Sequence, residues 1–400
     1  MLNMSDEPAA DAELPLHGLR VVELASVLAG PQVGQFLAEL GAEVIKVEAP
    51  GGDVTRTWKT PAESPDIDVS AYFACANWGK QSAVVDLRTP AGQAAVHRLV
   101  AGADIVLVSY KPGDAEKLRM DYAALSAANP RLIYGQITGY GPATPRAGYD
   151  AVLQAETGFM HLNGLPDSGP LKMPVALMDL LAAHQLKEGL LTALYRRERT
   201  GRGAVVHVSL HDAALASLAN QGSTYLVTGH DPQPLGSGHP SIVPYGTVYR
   251  AADGRQLVLA VGSDRQFQHL CEALARPEWA ADERFHTNGR RVQHREALEA
   301  LLTTRIGEIG GEALLVELER RAVPAGAVRT AGEALRQPPA QAMLLPPAAV
   351  FPHPGLRTVA FRSPQWPAAE ALAAPPALGA QTAELVDPTP FSAENQTTAK

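Results

Sequence analysis

The feature that most constrains the fold is an alternation of short apolar strand patterns with helical stretches in the first half of the chain. Residues 18–24 have a strand pattern, residues 32–40 a helical pattern that ends at Gly41, and residues 42–48 a second strand pattern. A strand, a short helix and a strand in this order form a βαβ unit. Similar strand patterns follow at residues 82–87, 104–110, 131–137 and 205–210. The alternation predicts an α/β fold whose parallel sheet is covered by helices on both faces.

The second half of the chain has a different pattern and predicts a second domain. A loop rich in glycine and proline covers residues 230–241, and an antiparallel hairpin of residues 245–250 and 256–261 follows it. The expected organisation is a flexible leader at 1–15, a large domain at 16–229, a smaller α+β domain at 230–335, and a Pro/Ala-rich segment at 336–400 that returns to the large domain and has a disordered end.

Composition and missing motifs exclude several kinds of function. The net charge is -8 and no basic block is present, which argues against a nucleic-acid partner. No apolar run is long enough to span a membrane, and the first residues lack the layout of a signal peptide. Cys75 and Cys271 match no metal or redox spacing, so we expect no metal and a reducing compartment. These features together predict a cytoplasmic chain.

Asp179 is the candidate catalytic residue. It lies between an apolar run at residues 174–178 and a helical pattern that continues to Arg199. Asp is favoured at the start of a helix because its side chain accepts hydrogen bonds from unpaired backbone N–H groups, so one interpretation is an N-cap. A carboxylate at that position is also kept ionised by the helix dipole, and a partly buried one can act as a nucleophile. The residue alone leaves both interpretations open.

A series of motifs runs in order along the chain, from about residue 16 to 345. It includes Leu16-His-Gly-Leu-Arg-Val-Val-Glu-Leu-Ala, Val27-Leu-Ala-Gly-Pro, Leu40-Gly-Ala-Glu-Val-Ile-Lys-Val-Glu, Pro50-Gly-Gly-Asp, Asn77-Trp-Gly-Lys-Gln-Ser, Gly148-Tyr-Asp-Ala-Val-Leu-Gln-Ala, Leu177-Met-Asp, Thr200-Gly-Arg-Gly and Val323-Pro-Ala-Gly. The series resembles the class III CoA-transferases, the CaiB/BaiF family that includes formyl-CoA transferase. This resemblance implies a Rossmann-like large domain that holds CoA, and an interlocked homodimer in which each chain is threaded through the other's ring.

The resemblance also implies an activity, the transfer of CoA from an acyl-CoA donor to a carboxylic acid acceptor. Asp179 falls at the position of the family's nucleophilic aspartate. In the family mechanism this carboxylate attacks the donor thioester and forms a mixed anhydride, and the CoA thiolate then returns to form an aspartyl-CoA thioester. The acceptor acid takes up CoA through a second anhydride. The expected partners are therefore acyl-CoA and carboxylic acids, with CoA thioesters as substrates and no permanently bound cofactor.

Further positions carry expected contacts with the substrate. By resemblance, Val27, Leu28 and Ala29 line the thioester, and formyl-CoA transferases have glutamine at the position of Leu28. The other expected contacts are Arg88 and Arg119 with the CoA phosphates, Ser109 and Tyr110 with the pantetheine arm, and Tyr149 in the active site. Gly236 and Gly238 are expected in a mobile flap over the thioester, with a plain surface loop as the alternative.

Other functions stay open at this point. An α-methylacyl-CoA racemase of the same fold pairs an aspartate with a histidine, and Tyr149 stands where that histidine would be. Tyrosine, whose ordinary pKa is about 10, is a poor acid or base for proton exchange at carbon. A CoA-binding paralogue without catalysis is a further alternative, against which the intact Asp179 argues. A Rossmann oxidoreductase is disfavoured because residues 27–31 lack the G-x-G-x-x-G pattern.

Overall fold

The structure is a computed structural model that describes residues 13–367 and 372–386. The expected flexible leader, up to residue 12, and the expected disordered end, from residue 387, lie outside the described residues. The described chain forms two compact units. The first contains the residues up to Thr157, Val175–Ala219 and the chain from Ala342 on, and the second contains Gly158–Pro174 and Asn220–Gln341. Residues 158–174 and 220–229, which we expected in the large domain, thus belong to the second unit.

The first eight strands follow the order expected from the sequence, and the last three were not predicted. The strands are β1 (Arg20–Leu24), β2 (Glu43–Glu48), β3 (Lys80–Val84), β4 (Ile105–Val108), β5 (Ile133–Thr138), β6 (Ala204–Ser209), β7 (Tyr245–Arg250), β8 (Gln256–Ala260), β9 (Ala325–Ala327), β10 (Leu344–Leu345) and β11 (Gly355–Leu356).

Helices connect most of these strands. They are α1 (Ala29–Glu39), α2 (Ala71–Ala74), α3 (Pro90–Ala101), α4 (Asp114–Lys117), α5 (Tyr122–Ser126), α6 (Asp150–Glu156), α7 (Phe159–Leu162), α8 (Leu177–Thr200), α9 (Leu210–Ala216), α10 (Ala219–Thr228), α11 (Asp264–Ala273), α12 (Glu278–Ala281), α13 (Asn288–Gln293), α14 (Arg295–Ile306), α15 (Gly311–Arg320), α16 (Ala331–Leu335) and α17 (Thr382–Val386). Two short 3₁₀ helices lie at Val54–Thr57 and Pro338–Met343.

The first unit is built on a six-stranded sheet in the order β3-β2-β1-β4-β5-β6, and every neighbouring pair is parallel. Because successive side chains of a strand point to opposite faces, β1 buries Val22 and Leu24 on one face and Val21 and Glu23 on the other. The face of Val22 packs against α3 and α5, and the opposite face is covered by α1 and α8. The predicted α/β fold with a covered parallel sheet is confirmed.

The second unit is an α+β structure with its own core. Its sheet has the antiparallel order β7-β8-β9, and Leu257, Leu259 and Phe267 belong to the buried cluster beneath it. The sequence pattern from residue 211 to about 229 predicts one helix, whereas the structure has two, α9 and α10. The break falls at Ala219, whose φ of 47° is left-handed and interrupts the helical path.

Candidate active site

Two loops meet at the carboxyl ends of β1 and β4, where the strand order changes direction. In open α/β sheets this switch point is the usual place for a ligand, because the loops diverge and leave a crevice. The backbone N–H of Ser26 donates a hydrogen bond of 3.1 Å to Oγ of Ser109 and joins the two loops. Five predicted contact residues lie in these loops or directly after them: Val27, Leu28, Ala29, Ser109 and Tyr110.

Asp179 lies in the first turn of α8, as its third residue. The N-cap of this helix is Ala176, whose side chain makes no capping hydrogen bond, so the interpretation of Asp179 as the N-cap is wrong. Its carboxylate is half-buried and faces the backbone N–H of Ala29 at the start of α1. The structure thereby brings the predicted nucleophile to the loop that was predicted to line the thioester.

Asp150 supplies the cap that Asp179 does not. Its Oδ1 accepts a 2.9 Å hydrogen bond from the N–H of Met178, one of the unpaired donors of the first turn of α8. Its Oδ2 accepts a 2.8 Å hydrogen bond from Nε2 of the buried Gln154. Neither residue had a role predicted from the sequence. Their i, i+4 spacing on α6 predicts a shared helix face, but nothing in the sequence indicates that this face meets the start of α8.

Burial, and after it the negative charge of Asp150, raise the pKa of Asp179 to about 7. The N–H of Ala29 and the N–H of Asp179 itself act in the opposite direction because they favour the charged form. The carboxylate is therefore partly shielded from water and becomes ionised as pH rises through about 7. Such an anion is a better nucleophile than a fully solvated carboxylate, and the N–H of Ala29 is placed to stabilise negative charge beside it.

Tyr72 is a second titratable group beside this carboxylate. Burial, and then the negative charge of Asp179, raise its pKa to about 12, so the phenol is neutral at physiological pH. Its ring stands edge-on to Trp58, with 5.0 Å between the ring centroids. A neutral hydroxyl and an aromatic ring suit an uncharged or anionic ligand at this site better than a cation that needs a counter-charge.

The two arginines predicted to meet the CoA phosphates have different environments. The guanidinium of Arg88 is tied to Asp86, with distances of 2.8 Å from Nε to Oδ1 and 2.9 Å from Nη2 to Oδ2. Arg119 is exposed at a left-handed φ of 57°, and in residues 13–367 and 372–386 it has no acidic partner within ion-pair distance. Within the part of the chain that the structure describes, Arg88 is thus paired with an acid and Arg119 is not.

Tyr149 and the two glycines of the predicted flap do not contact Asp179 in any hydrogen bond of the described chain. Tyr149 precedes α6 and leaves 67% of its surface exposed. Gly236 and Gly238 lie in the second unit, where the N–H of Gly236 donates to the carbonyl oxygen of Gly164 at 2.8 Å. The left-handed φ of Gly236, 60°, and the 2.7 Å that would separate a Cβ from Leu165 both favour glycine there. The flap stays a prediction.

The described ranges contain neither a metal-binding cluster of side chains nor a membrane-spanning helix. No three His, Cys, Asp or Glu side chains there lie close enough together to hold a metal ion. None of the helices described has both the length and the apolar character needed to cross a bilayer. The cytoplasmic location stays a prediction of the sequence.

Several known proteins are similar to this chain over most of its length. A sequence model of CoA-transferase family III matches residues 16–382. The succinate–glutarate CoA-transferase of Agrobacterium fabrum is 43% identical over 346 residues, which are 85% of this chain and 86% of that protein. The succinyl-CoA–D-citramalate CoA-transferase of Chloroflexus aurantiacus is 36% identical over 328 residues, 81% of each chain. A crystal structure of a CaiB/BaiF family protein from Brucella suis is similar with a TM-score of 0.81 and 41% identity, over 93% of this chain and 98% of that one.

Proposed function

This chain belongs to CoA-transferase family III, and on that premise we propose that it exchanges CoA between short dicarboxylic acids with Asp179 as the nucleophile. The resemblance to the family is confirmed, and the chain is a transferase enzyme that uses CoA thioesters as substrates. The names of two relatives support the choice of acids, because one acts on succinate and glutarate and the other on succinyl-CoA and D-citramalate. The observation that carries the proposed mechanism is the half-buried Asp179 carboxylate facing the N–H of Ala29.

The first half of the reaction transfers the donor acyl group to the enzyme. A carboxylate oxygen of Asp179 attacks the thioester carbonyl carbon, the carbon–sulfur bond breaks, and CoA leaves as a thiolate. The product is an acyl-aspartyl anhydride. The thiolate then attacks the aspartyl carbonyl carbon of this anhydride, the donor acid leaves as a carboxylate, and Asp179 is left as a thioester of CoA.

The second half repeats these steps in reverse with the acceptor. The acceptor carboxylate attacks the aspartyl-CoA carbonyl carbon and releases the thiolate, which gives a second anhydride. The thiolate attacks the acceptor carbonyl carbon and forms the new acyl-CoA, and Asp179 returns as a carboxylate. Each step exchanges one anion for another, so no proton has to be supplied or removed. The residue must be ionised when it attacks, and its pKa of about 7 allows this at neutral pH and above.

Negative charge develops on an oxygen atom at every addition step. The first turns of α1 and α8 both meet at Asp179, and backbone N–H groups at helix N-termini stabilise anions in their neighbourhood. The N–H of Ala29 is the donor that faces this carboxylate. We assign to it the stabilisation of the charged oxygen, since a fixed donor in a poorly hydrated site needs no reorganisation during the reaction.

We also propose that the working state is a homodimer. In the second unit, α10 exposes 82% of Leu226 and 84% of Val227, a pair of apolar side chains that a protein partner would bury. Light scattering should give a mass close to twice that of the chain, and a monomeric mass at assay concentrations with full activity would contradict the proposal.

A trapping experiment tests the function. The enzyme is mixed with succinyl-CoA alone, treated with hydroxylamine, digested and analysed by mass spectrometry, with Asp179→Asn as the control. We expect a hydroxamate on the peptide that contains Asp179, and none on the control. A wild-type enzyme that turns over but carries no adduct would contradict the covalent mechanism. Deuterium incorporation at the α-carbon of a 2-methylacyl-CoA, without transfer, would instead support the racemase alternative.

A further inference from the structure

Buried charges hold the loop between β1 and α1 at two points. Nζ of Lys46 donates a 2.8 Å hydrogen bond to the carbonyl oxygen of Ala25 and lies 3.0 Å from Oδ2 of Asp53. The carboxylate of Asp53 accepts the backbone N–H of Val27, at 3.2 Å to Oδ2 and 3.4 Å to Oδ1. One ammonium group therefore fixes the loop directly at Ala25 and, through Asp53, at Val27.

Val27 needs such a restraint because its backbone is strained. Its φ of 70° lies in the left-handed region, which L-residues adopt uncommonly and β-branched residues least readily. Strain of this kind persists only where the surroundings determine the conformation, and it is concentrated at functional sites. Ala29, whose N–H faces Asp179, is two residues further along the chain. A change of φ at Val27 would rotate the peptides that lead to that N–H.

The restraint is a buried network of two lysines and two carboxylates. Lys46 and Lys80 share the carboxylate of Glu23, at 3.0 and 2.7 Å, and Asp53 is the second anion of the group. All four side chains are at most 1% exposed. Burial disfavours both charges, yet the neighbouring carboxylates hold the pKa of Lys46 above its ordinary value, and Lys46 with Thr55 holds that of Asp53 below it. Both groups stay charged over the working pH range of the enzyme.

We propose that Asp53, held by Lys46, is a positioning residue that keeps Val27 in its left-handed turn and so aims the N–H of Ala29 at Asp179. This proposal rests on the proposed function, because it assigns the N–H of Ala29 a part in the chemistry of Asp179. Close packing supports the tight path of the loop, since a Cβ on Gly30 would lie 2.3 Å from Cβ of Ala25. A change in the path of the loop would therefore disturb the packing at the start of α1.

Asp53→Asn is the first variant. Oδ1 of Asp53 accepts the N–H and the Oγ1 hydroxyl of Thr55, at 3.0 and 2.8 Å, so an amide would keep its oxygen there. Its NH₂ group would then face two donors, the N–H of Val27 and the ammonium of Lys46. We expect kcat to fall about tenfold to a hundredfold, the range for misplacing a catalytic group by about 1 Å, with the KM for succinyl-CoA within about threefold.

The pH profile separates positioning from a merely structural role. The titratable groups that face Asp179 are Asp150 from α6 and Tyr72 from α2. The N–H of Ala29 favours the charged form of Asp179, so moving it away raises the pKa of that carboxyl. We expect the acid limb of kcat/KM to move to higher pH in Asp53→Asn, whereas a loss of folded enzyme would scale the whole profile without moving it.

Val27→Gly supplies the rescue test. Glycine adopts φ of 70° without strain, so the turn no longer depends on Asp53. Asp53→Asn lowers kcat by a certain factor in the wild type and by another in the Val27→Gly background. We expect the factor in the wild type to be at least about five times larger. Thr55→Val is the matched control: it removes one hydrogen bond to Asp53 but leaves those to Val27 and Lys46, and we expect wild-type kcat and an unmoved acid limb.

Two outcomes would overturn the proposal. One is an Asp53→Asn enzyme with the wild-type kcat and acid limb, and the other is an equal loss of kcat in the wild-type and Val27→Gly backgrounds. Either is meaningful only if the wild-type enzyme forms the Asp179 hydroxamate with succinyl-CoA. Absence of that adduct in the wild type would instead mark a failure of the proposed function.

Discussion

Two pairs of carboxylates in the first unit have opposite environments. Glu23 and Asp53 are buried against the ammonium groups of Lys46 and Lys80, whereas the carboxylate of Asp179 lies beside the negative charge of Asp150. The pKa of Asp53 is below its ordinary value, and that of Asp179 is about 7. The same chemical group, a carboxylate, therefore has two different roles that depend on its environment. The paired carboxylates organise the loop, and the carboxylate beside a like charge is poised for chemistry.

The largest effect on activity is expected for a substitution of Asp179, the proposed nucleophile. Asp179→Asn removes the only carboxylate that we assign as nucleophile but keeps the shape of the side chain. We expect kcat to fall at least about 10³-fold, with the Kd for CoA within a few-fold of the wild type, measured by turnover and calorimetry. Transfer at a wild-type rate would remove Asp179 from the mechanism.

Substitution of a lysine in the buried ion network should lower the free energy of unfolding. Lys46→Met leaves Asp53 and Glu23 buried with one cation instead of two, and breaking a buried pair from one side costs about 3–5 kcal/mol of unfolding free energy. Denaturant unfolding checks this, with Lys117→Met as the control because Lys117 forms an exposed pair with Asp114. Equal midpoints for the two variants would show that the buried network contributes no more than a surface pair.

Asp179→Asn should change stability in the other direction. The folded-state pKa of Asp179 is raised from 3.8 to about 7, so the folded protein binds a proton that the unfolded chain releases between these values. The stability that this bound proton gives to the folded protein is therefore present at low pH and is lost as pH rises through 7. We expect Asp179→Asn to exceed the wild type by about 1–2 kcal/mol at about pH 8, with no difference near pH 4. A destabilised variant at pH 8 would show that the ionised carboxylate is well compensated.

The charge of Asp150 should set the pH range of the reaction. Asp150→Asn keeps an oxygen for the N–H of Met178 but removes the negative charge that raises the pKa of Asp179. We expect the acid limb of kcat/KM to move about one unit to lower pH, opposite in direction to the shift expected for Asp53→Asn. A limb that stays in place would make burial alone responsible for the raised pKa.

The smallest effect is expected for the two arginines, Arg119 and Arg88, that were predicted to meet the CoA phosphates. Among the described residues the guanidinium of Arg119 has no acidic partner within ion-pair distance, whereas Arg88 is bound to Asp86. If Arg119 meets a CoA phosphate, Arg119→Ala should raise the KM for acyl-CoA about fivefold, and Arg88→Ala less than about twofold. The reverse order would assign the phosphate contact to Arg88.

The sequence predicted the parts of this enzyme that local pattern determines. Strand periodicity located β1, β2, β4, β5 and β6, and the ordered motifs identified the family and drew attention to Asp179. β3 was placed two residues late because its first residues, Lys80 and Gln81, are polar although Lys80 is buried.

Contacts between distant segments could not be predicted in the same way. One interpretation of the sequence placed Asp179 at the N-cap because Asp favours helix starts, but Asp150, 29 residues earlier in the numbering, caps α8 through Met178. The contact of Asp53 with the N–H of Val27 likewise spans 26 residues. Such pairs depend on how strands and helices pack, and neither partner carries a local signal of the other.

The most direct test follows an oxygen atom. In the proposed route, the acceptor carboxylate joins Asp179 through an anhydride, and the thiolate attacks the acceptor side, so one acceptor oxygen stays on Asp179. The enzyme is therefore incubated with succinyl-CoA and glutarate whose carboxylates carry isotopically heavy oxygen, and the peptide that contains Asp179 is analysed by mass spectrometry. The account predicts heavy oxygen in the side chain of Asp179 after turnover. Complete transfer of CoA to glutarate with an unlabelled Asp179 would contradict it.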